Sequence, residues 1–153
     1  MSAAKAILSG LIGASTLTIL HETARRFLPE APRMDLLGMR AISRSMRAVG
    51  EQPPDRERLH RTAMAGDLLA NSLYYSLVGI GREETVLRRG AGLGLAAGLG
   101  GVMLPEPLGL GGAPSGRTPA TKFMTVGWYL AGALAAATAY RFLTRSSNQE
   151  MWT

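Results

Sequence analysis

The chain has 153 residues, no cysteine, and 17 Lys and Arg residues against 11 Asp and Glu, for a net charge of +6. This length suits a single domain. The missing cysteine excludes disulfides, thiolate metal sites and cysteine nucleophiles. The positive charge would suit nucleic acid or anionic lipid, but no RNP-like aromatic pattern or zinc-finger spacing accompanies it. We therefore expect no nucleic-acid partner.

Apolar residues make up 46% of the chain, an ordinary share for a globular protein. Their distribution is more informative, because long uncharged stretches alternate with strongly charged ones. The sequence predicts an all-α fold: a polytopic transmembrane helical bundle with about four apolar helices and one amphipathic interfacial helix, in a single membrane domain over 1–153. A soluble helical bundle is the alternative.

The first apolar segment is predicted over about 3–23. No small-residue cleavage site follows its apolar run, which favours an uncleaved helix over a secretory signal. Small side chains recur along it every four residues and form a ridge: Ala6, Gly10, Ala14 and Thr18. Such a ridge lets a second helix approach closely in a bilayer. A glycine-weakened core helix of a soluble protein is the alternative.

An amphipathic helix is predicted over about 35–49, between proline and glycine breakers. One narrow stripe of it is apolar: Met39, Ile42, Met46 and Val49. The other side carries three arginines: Arg40, Arg44 and Arg47. This pattern is typical of a helix at the headgroup level, with the arginines toward lipid phosphate. The alternative is a helix that packs on its own protein.

Asp55 is a predicted N-cap for a long helix whose apolar segment covers about 63–81. Polar residues spaced by seven, four and three positions share one face of it, here called the polar stripe: His60, Asp67, Asn71 and Tyr74. Ionisable groups inside a membrane often mark a solute or proton path. The structural alternative is that Asp67 and Asn71 hydrogen-bond to hydroxyls of the first helix at Ser15, Thr16 or Thr18.

The third apolar segment, about 90–110, is rich in glycine, with Gly90, Gly94 and Gly98 in G-x-x-x-G spacing. Two prolines flank Glu106, so the segment either crosses the bilayer and ends near Leu104 or continues as a re-entrant piece. The fourth segment, about 123–143, is the clearest span, with aromatic residues near both ends. It carries a third small-residue ridge at Gly127, Ala131 and Ala135.

No catalytic residue, metal site or cofactor follows from the motifs. His21 and Glu22 open an H-E-x-x-H-like pattern, but Arg25 replaces the second ligand, and Glu22 is expected to pair with Arg25 or Arg26 instead. The glycines around 92–98 lack the preceding strand of a dinucleotide fingerprint. Three short stretches are motif-like without an assignable role: 20–22, 31–35 and 66–68.

The small-residue ridges, the basic helix and the missing catalytic set predict a non-enzymatic accessory or scaffold subunit of a larger membrane assembly. Its expected partners are membrane lipid and other transmembrane helices, in a homo- or hetero-oligomer. Two alternatives remain: a small transporter or channel using the stripe around Asp67, and a lipid-acting enzyme using His21, Glu22 and Asp67. We expect the protein to be integral to a membrane, in bacteria the cytoplasmic membrane. Lys and Arg concentrate in 21–62 and 111–122, which predicts that these loops are cytoplasmic and that both termini are outside.

Overall fold

The computed structural model describes the backbone of residues 3–150 and the side chains of residues 3–146. Within that part of the chain all regular structure is helical, as predicted. The elements are α1 (Ala3–Phe27), α2 (Met34–Ala48), α3 (Arg56–Ser76), α4 (Val86–Met103), the single turn α5 (Ala113–Gly116) and α6 (Pro119–Glu150). Short 3-10 turns at Leu77–Gly79 and Glu83–Thr85 lead from α3 into α4.

The helix ends follow from local chemistry. Asp55 caps α3, since its side chain accepts a hydrogen bond of 2.9 Å from the backbone N–H of Arg58. Gly50 follows α2 with a φ of +83°, a left-handed conformation that glycine adopts without strain. α4 ends at Met103, ahead of Pro105, and 104–112 is built of turns. The third segment therefore starts earlier and ends earlier than predicted, in agreement with a helix that stops near Leu104.

Four long helices, α1, α3, α4 and α6, form an antiparallel ring. α1 packs against both α3 and α6, and α4 packs against α6. Ridges of small residues make these contacts. A Cβ added to Gly10 would lie 2.1 Å from the carbonyl oxygen of Ser72, and one added to Gly94 would lie 2.6 Å from the Cα of Leu130. Such close backbone approach is the packing mode of small-residue helix interfaces.

The predicted ridges lie on different sides of the bundle. Those of α1 and α4 face inward, because Gly10, Ala14, Gly90, Gly94 and Gly98 are all buried. The ridge at Gly127, Ala131 and Ala135 is exposed or half-buried. A Cβ on Gly127 would meet no atom within 4 Å. Within the bundle, α6 instead presents Gly132, Ala133, Ala136 and Ala137.

The core of the ring consists largely of alanine and tyrosine. Ala133, Ala136 and Ala137 are fully buried, as is Tyr75, whose hydroxyl donates to the carbonyl oxygen of Tyr129 at 2.9 Å. Leu17, Val78 and Val86 are buried with them, but many other large apolar side chains point outward. Exposure reaches 64% at Ile19, 62% at Leu69 and 79% at Phe123. The outer surface of the ring helices thus carries large apolar side chains that a water-soluble bundle usually places inside.

Within the described part of the chain, two helices are by length and composition apolar enough to cross a membrane: Ala3–Phe27 and Pro119–Ser146. In their most apolar 18-residue stretches, 33% and 39% of the residues are buried. The four-span topology stays a prediction, because α3 and α4 are not among the helices that are long and apolar enough to span a membrane.

The loops after α1 and before α6 lie at one end of the ring, here called the arginine-rich end. Arg117 Nη2 donates to the carbonyl oxygen of Pro29 at 2.6 Å, and Thr121 Oγ1 donates to that of Glu30 at 2.8 Å. α2 lies at this end and packs on α3, with Leu37 and Met39 buried and Gly38 against Ala63. The amphipathic helix thus rests on its own protein, in the manner of the alternative interpretation.

Candidate functional site

A small polar cavity lies at the arginine-rich end, between α1, α2 and α3. Its volume is about 20 Å³, enough for a single water molecule. The residues that line it are Thr18, His21, Glu22, Arg25, Pro32, Met34, Asp35, Ala63, Met64 and Asp67. Five of these side chains are ionisable, which is unusual for so small a cavity beside the core.

His21 is the least satisfied polar side chain of this cavity. It is 8% exposed, and the backbone of Pro32 lies beside its ring, but neither Nδ1 nor Nε2 makes a hydrogen bond of good geometry with a described residue. Its ring stands edge-on to Trp128 and Tyr129, with centroid distances of 5.0 and 6.1 Å. Aromatic contacts hold the ring in place, but they leave both nitrogens unsatisfied. The imidazole can therefore bind a water molecule or exchange a proton in the cavity.

Beside His21, an ion-pair network joins α1 to the start of α2. Arg33 donates to both oxygens of Asp35, at 2.9 and 2.8 Å, and Arg25 Nη1 donates to Asp35 Oδ2 at 3.1 Å. Arg25 also pairs with Glu22 at 2.7 Å, as expected from the sequence. Each carboxylate in this network has a guanidinium partner, so the network holds the wall of the cavity without net charge.

Asp35 is held in its ionised form. Burial disfavours the charged carboxylate, but the paired hydrogen bonds from Arg33 and the charges of Arg33 and Arg25 outweigh it, and the pKa of Asp35 lies below its usual range. The same interaction raises the pKa of Arg33. At neutral pH Asp35 is therefore ionised, and its ion pairs hold α1 against the start of α2.

The structure divides the predicted polar stripe. Asp67 lines the polar cavity, while His60 lies two turns away and does not. Asn71 Nδ2 donates to the carbonyl oxygen of Asp67 at 3.0 Å, within its own helix, rather than to a hydroxyl of α1. Tyr74 donates to the carbonyl oxygen of Leu93 at 3.0 Å and so joins α3 to α4.

The three motif-like stretches of the sequence converge at this cavity. His21 and Glu22 come from the first, Asp35 from the second and Asp67 from the third. The sequence had grouped His21, Glu22 and Asp67 only as the residues of a possible lipid-acting enzyme, and it assigned no role to Asp35.

An open cleft separates α3 from α4 next to the polar cavity. α4 contacts the 3-10 turn Leu77–Gly79 that follows α3, and Tyr74 links α3 to Leu93 of α4. On the side toward α2 a space of about 530 Å³ lies between α3 and α4. Small residues form much of its walls: Ala70 on α3, and Ala96, Ala97, Gly100 and Gly101 on α4. Met34 lies between this α3–α4 cleft and the polar cavity, since it lines both. The ring is thus open on one side.

A third feature, the arginine pocket, lies between α2, the α2–α3 linker and the start of α3, with a volume of about 810 Å³. The side chains of Arg40, Arg44, Arg47 and Arg56 surround it. Three of these are the predicted headgroup ligands, and Arg56 joins them from the first turn of α3. No acidic residue lines the pocket.

Among the described residues, no three His, Asp or Glu side chains come together in a way that could hold a metal ion. The polar cavity can therefore bind water or move a proton, and the other two sites can bind a ligand or partner. Comparison with family models, curated proteins and solved structures gives no match to this chain.

Proposed function

We propose that this chain is a small integral membrane protein that acts as a non-enzymatic accessory or scaffold subunit of a larger assembly. In this proposal a transmembrane helix of another chain packs into the α3–α4 cleft. The open side of the ring is the observation that carries the proposal, because the other three sides are closed by helix packing.

The membrane location in this proposal is supported by the large apolar side chains on the outside of the bundle. Exposed large apolar side chains occur on every helix of the ring, such as Ile7, Leu73, Leu99 and Phe142. In water each would cost free energy, at about 25 cal/mol per Å² of apolar surface. In lipid they have a matching solvent, and the close glycine contacts provide the packing energy.

The partner part of the proposal is supported by the walls of the cleft. Gly100 and Gly101 expose backbone, and Ala70 and Ala96 present only a methyl group. A helix that approaches such walls gains close van der Waals contact, as α6 does on the opposite side of α4. Asn71 and Tyr74 also line the cleft. Each already donates one hydrogen bond within the bundle, but the Asn71 amide oxygen and the Tyr74 hydroxyl oxygen can still accept one from a partner helix.

Site-specific photocrosslinking in native membranes tests this proposal. A photoreactive residue at Ala96, inside the cleft, should crosslink to one defined membrane protein. The same residue at Ile19, exposed on α1 outside the cleft, should not. Lipid adducts alone at Ala96, or identical products from both positions, would contradict the proposed helix partner.

A pair of leucine substitutions in α4 provides the matched control. Gly100→Leu fills the cleft, where a Cβ meets no atom closer than 3.5 Å, and should reduce the Ala96 crosslink strongly. Gly92→Leu adds the same side chain where nothing lies within 4 Å, outside the cleft, and should leave the crosslink unchanged. Equal effects of the two variants would count against the cleft as the interface.

A second candidate function is proton or solute transport through the polar cavity. The observation that favours it is the placement of His21 and Asp67 on one cavity next to the α3–α4 cleft. Intramembrane ionisable residues commonly belong to such paths. In proteoliposomes Asp67→Asn should abolish the flux, whereas Glu51→Gln, on the exposed α2–α3 linker, should not. A flux that survives Asp67→Asn would exclude this role for the cavity.

A further inference from the structure

The arginine pocket concentrates positive charge that the protein itself does not neutralise. None of Arg40, Arg44, Arg47 and Arg56 lies within 4.0 Å of a carboxylate in the described part of the chain. The nearest acidic residues of α3 and its cap are otherwise engaged, since Asp55 pairs with Arg58 and Glu57 with Arg61. Four guanidinium groups around one concavity repel each other unless an anion binds between them.

The pocket is held open by contacts of its own arginines. Arg40 Nη1 donates to the carbonyl oxygen of Leu110 at 2.7 Å, which ties α2 to the turns after α4. Arg44 lies against Gly109, where an added Cβ would come within 2.6 Å of Nη1. Gly109 also has a φ of +68°, so glycine suits this position for two reasons. Two of the four arginines are thus positioned before any ligand arrives.

Part of the pocket wall is apolar. Leu36 and Met39 of α2 and Leu59 of α3 line it together with the arginines. An inorganic anion makes no favourable contact with apolar side chains, whereas a phospholipid carries a phosphate and acyl chains in the same molecule. The pocket also lies at the end of the ring where the candidate span α1 finishes, which is the level of lipid headgroups.

From these observations we propose that the arginine pocket binds an anionic phospholipid. The guanidinium groups of Arg44, Arg47 and Arg56 bind the phosphate in charge-assisted, bidentate fashion. The start of an acyl chain lies along Leu36, Met39 and Leu59. This inference rests on the membrane location in the proposed function, but not on the partner helix.

The test measures lipid binding to the full chain in detergent micelles by native mass spectrometry. Phosphatidylglycerol should bind the wild-type chain with a defined apparent Kd, and phosphatidylcholine should bind far more weakly. The double variant Arg44→Gln/Arg47→Gln should weaken phosphatidylglycerol binding about 30-fold, because each arginine near the headgroup contributes about fivefold.

A charge-matched control isolates the pocket from the net charge of the chain. Arg88→Gln/Arg145→Gln removes two exposed arginines at the opposite end of the bundle and should leave the apparent Kd unchanged. Equal weakening by both double variants would show unspecific attraction and overturn the proposal. Circular dichroism of each variant establishes that a loss of binding does not come from unfolding.

A competition experiment distinguishes lipid from free phosphate. Inorganic phosphate at millimolar concentration should leave phosphatidylglycerol bound, because it cannot use the apolar wall. Full displacement by phosphate would assign the pocket to a soluble phosphate compound and overturn the lipid assignment. A chain found in membranes that shows no lipid selectivity contradicts this inference alone, whereas a chain released from cells without detergent contradicts the proposed function.

Discussion

At the residue scale, two buried ionisable groups of the polar cavity differ in their hydrogen bonding. Asp35 receives hydrogen bonds from two arginines, whereas neither ring nitrogen of His21 makes a hydrogen bond of good geometry with a described residue. An unsatisfied buried polar group costs about 1–3 kcal/mol, so its presence suggests a use beyond packing. Asp35 therefore stabilises the fold, whereas His21 is the candidate group for binding water or exchanging a proton in the cavity.

Asp35 should make the stability of the bundle depend on acid pH. Its folded-state pKa is lowered, so its contribution is fully present above the ordinary carboxyl range, near about pH 4, and is lost as the pH falls through the folded-state value. Asp35→Asn should lower the free energy of unfolding by about 2–3 kcal/mol at neutral pH. The difference from wild type should shrink below about pH 4.

Unfolding in detergent micelles between acid and neutral pH measures this effect. Glu51→Gln serves as the control, because Glu51 is exposed and makes no ion pair among the described residues. It should behave like wild type at every pH. A difference between Asp35→Asn and wild type that stays constant over the whole range would refute the assignment.

Replacing His21 by phenylalanine should raise stability. The ring keeps its edge-on contact with Trp128, while two unsatisfied nitrogens are removed, so the free energy of unfolding should increase by about 1 kcal/mol. His60→Phe, at a half-buried position on the same end of the bundle, should change it by less than about 0.5 kcal/mol. If His21→Phe is instead destabilising, the nitrogens are satisfied in solution by bound water.

At the element scale, glycine determines how close the helices come. α4 contains glycines with opposite surroundings at the same helical geometry. A Cβ on Gly98 would lie 2.7 Å from the Cα of Val126, whereas Gly92 has nothing within 4 Å. The G-x-x-x-G spacing alone identified the packed face of α4, because that spacing places Gly90, Gly94 and Gly98 in one row.

Alanine substitution of these two glycines should give changes of opposite sign. Gly98→Ala forces α4 away from the α6 backbone and should lower the free energy of unfolding by about 1–3 kcal/mol. Gly92→Ala reduces the conformational freedom of the unfolded chain and should raise it by up to about 1 kcal/mol. The free energy of unfolding of both variants is measured in the same detergent. Equal changes for the two variants would show that α4 does not pack on α6 through Gly90, Gly94 and Gly98.

At the scale of the whole molecule, the fold gathers the basic segments at one end. The segments around α2 and before α6 carry most of the arginines, and hydrogen bonds link them through Arg117 and Pro29. Four antiparallel helices require this arrangement if all of them cross the bilayer. For that topology, the positive-inside rule predicts that the arginine-rich end faces the cytoplasm.

Single cysteines in the cysteine-free chain test this orientation in intact cells. Ser45→Cys, exposed on α2, should be shielded from an impermeant thiol reagent, while Ser146→Cys near the end of α6 should react. Labelling of Ser45→Cys from outside would reverse the orientation. If neither position is labelled, both lie in the cytoplasm, which would mean that the third apolar segment does not cross the membrane.

The sequence by itself determined the all-helical class, the approximate helices and the inward small-residue rows of α1 and α4. Those properties depend on periodicity along one segment, which is visible in the chain. Only the tertiary structure decided that the α6 row at Gly127 faces outward, that α2 rests on α3, and that His21, Asp35 and Asp67 share one cavity. These outcomes depend on how each helix is rotated and which neighbours it meets, and no periodicity within a single segment specifies either.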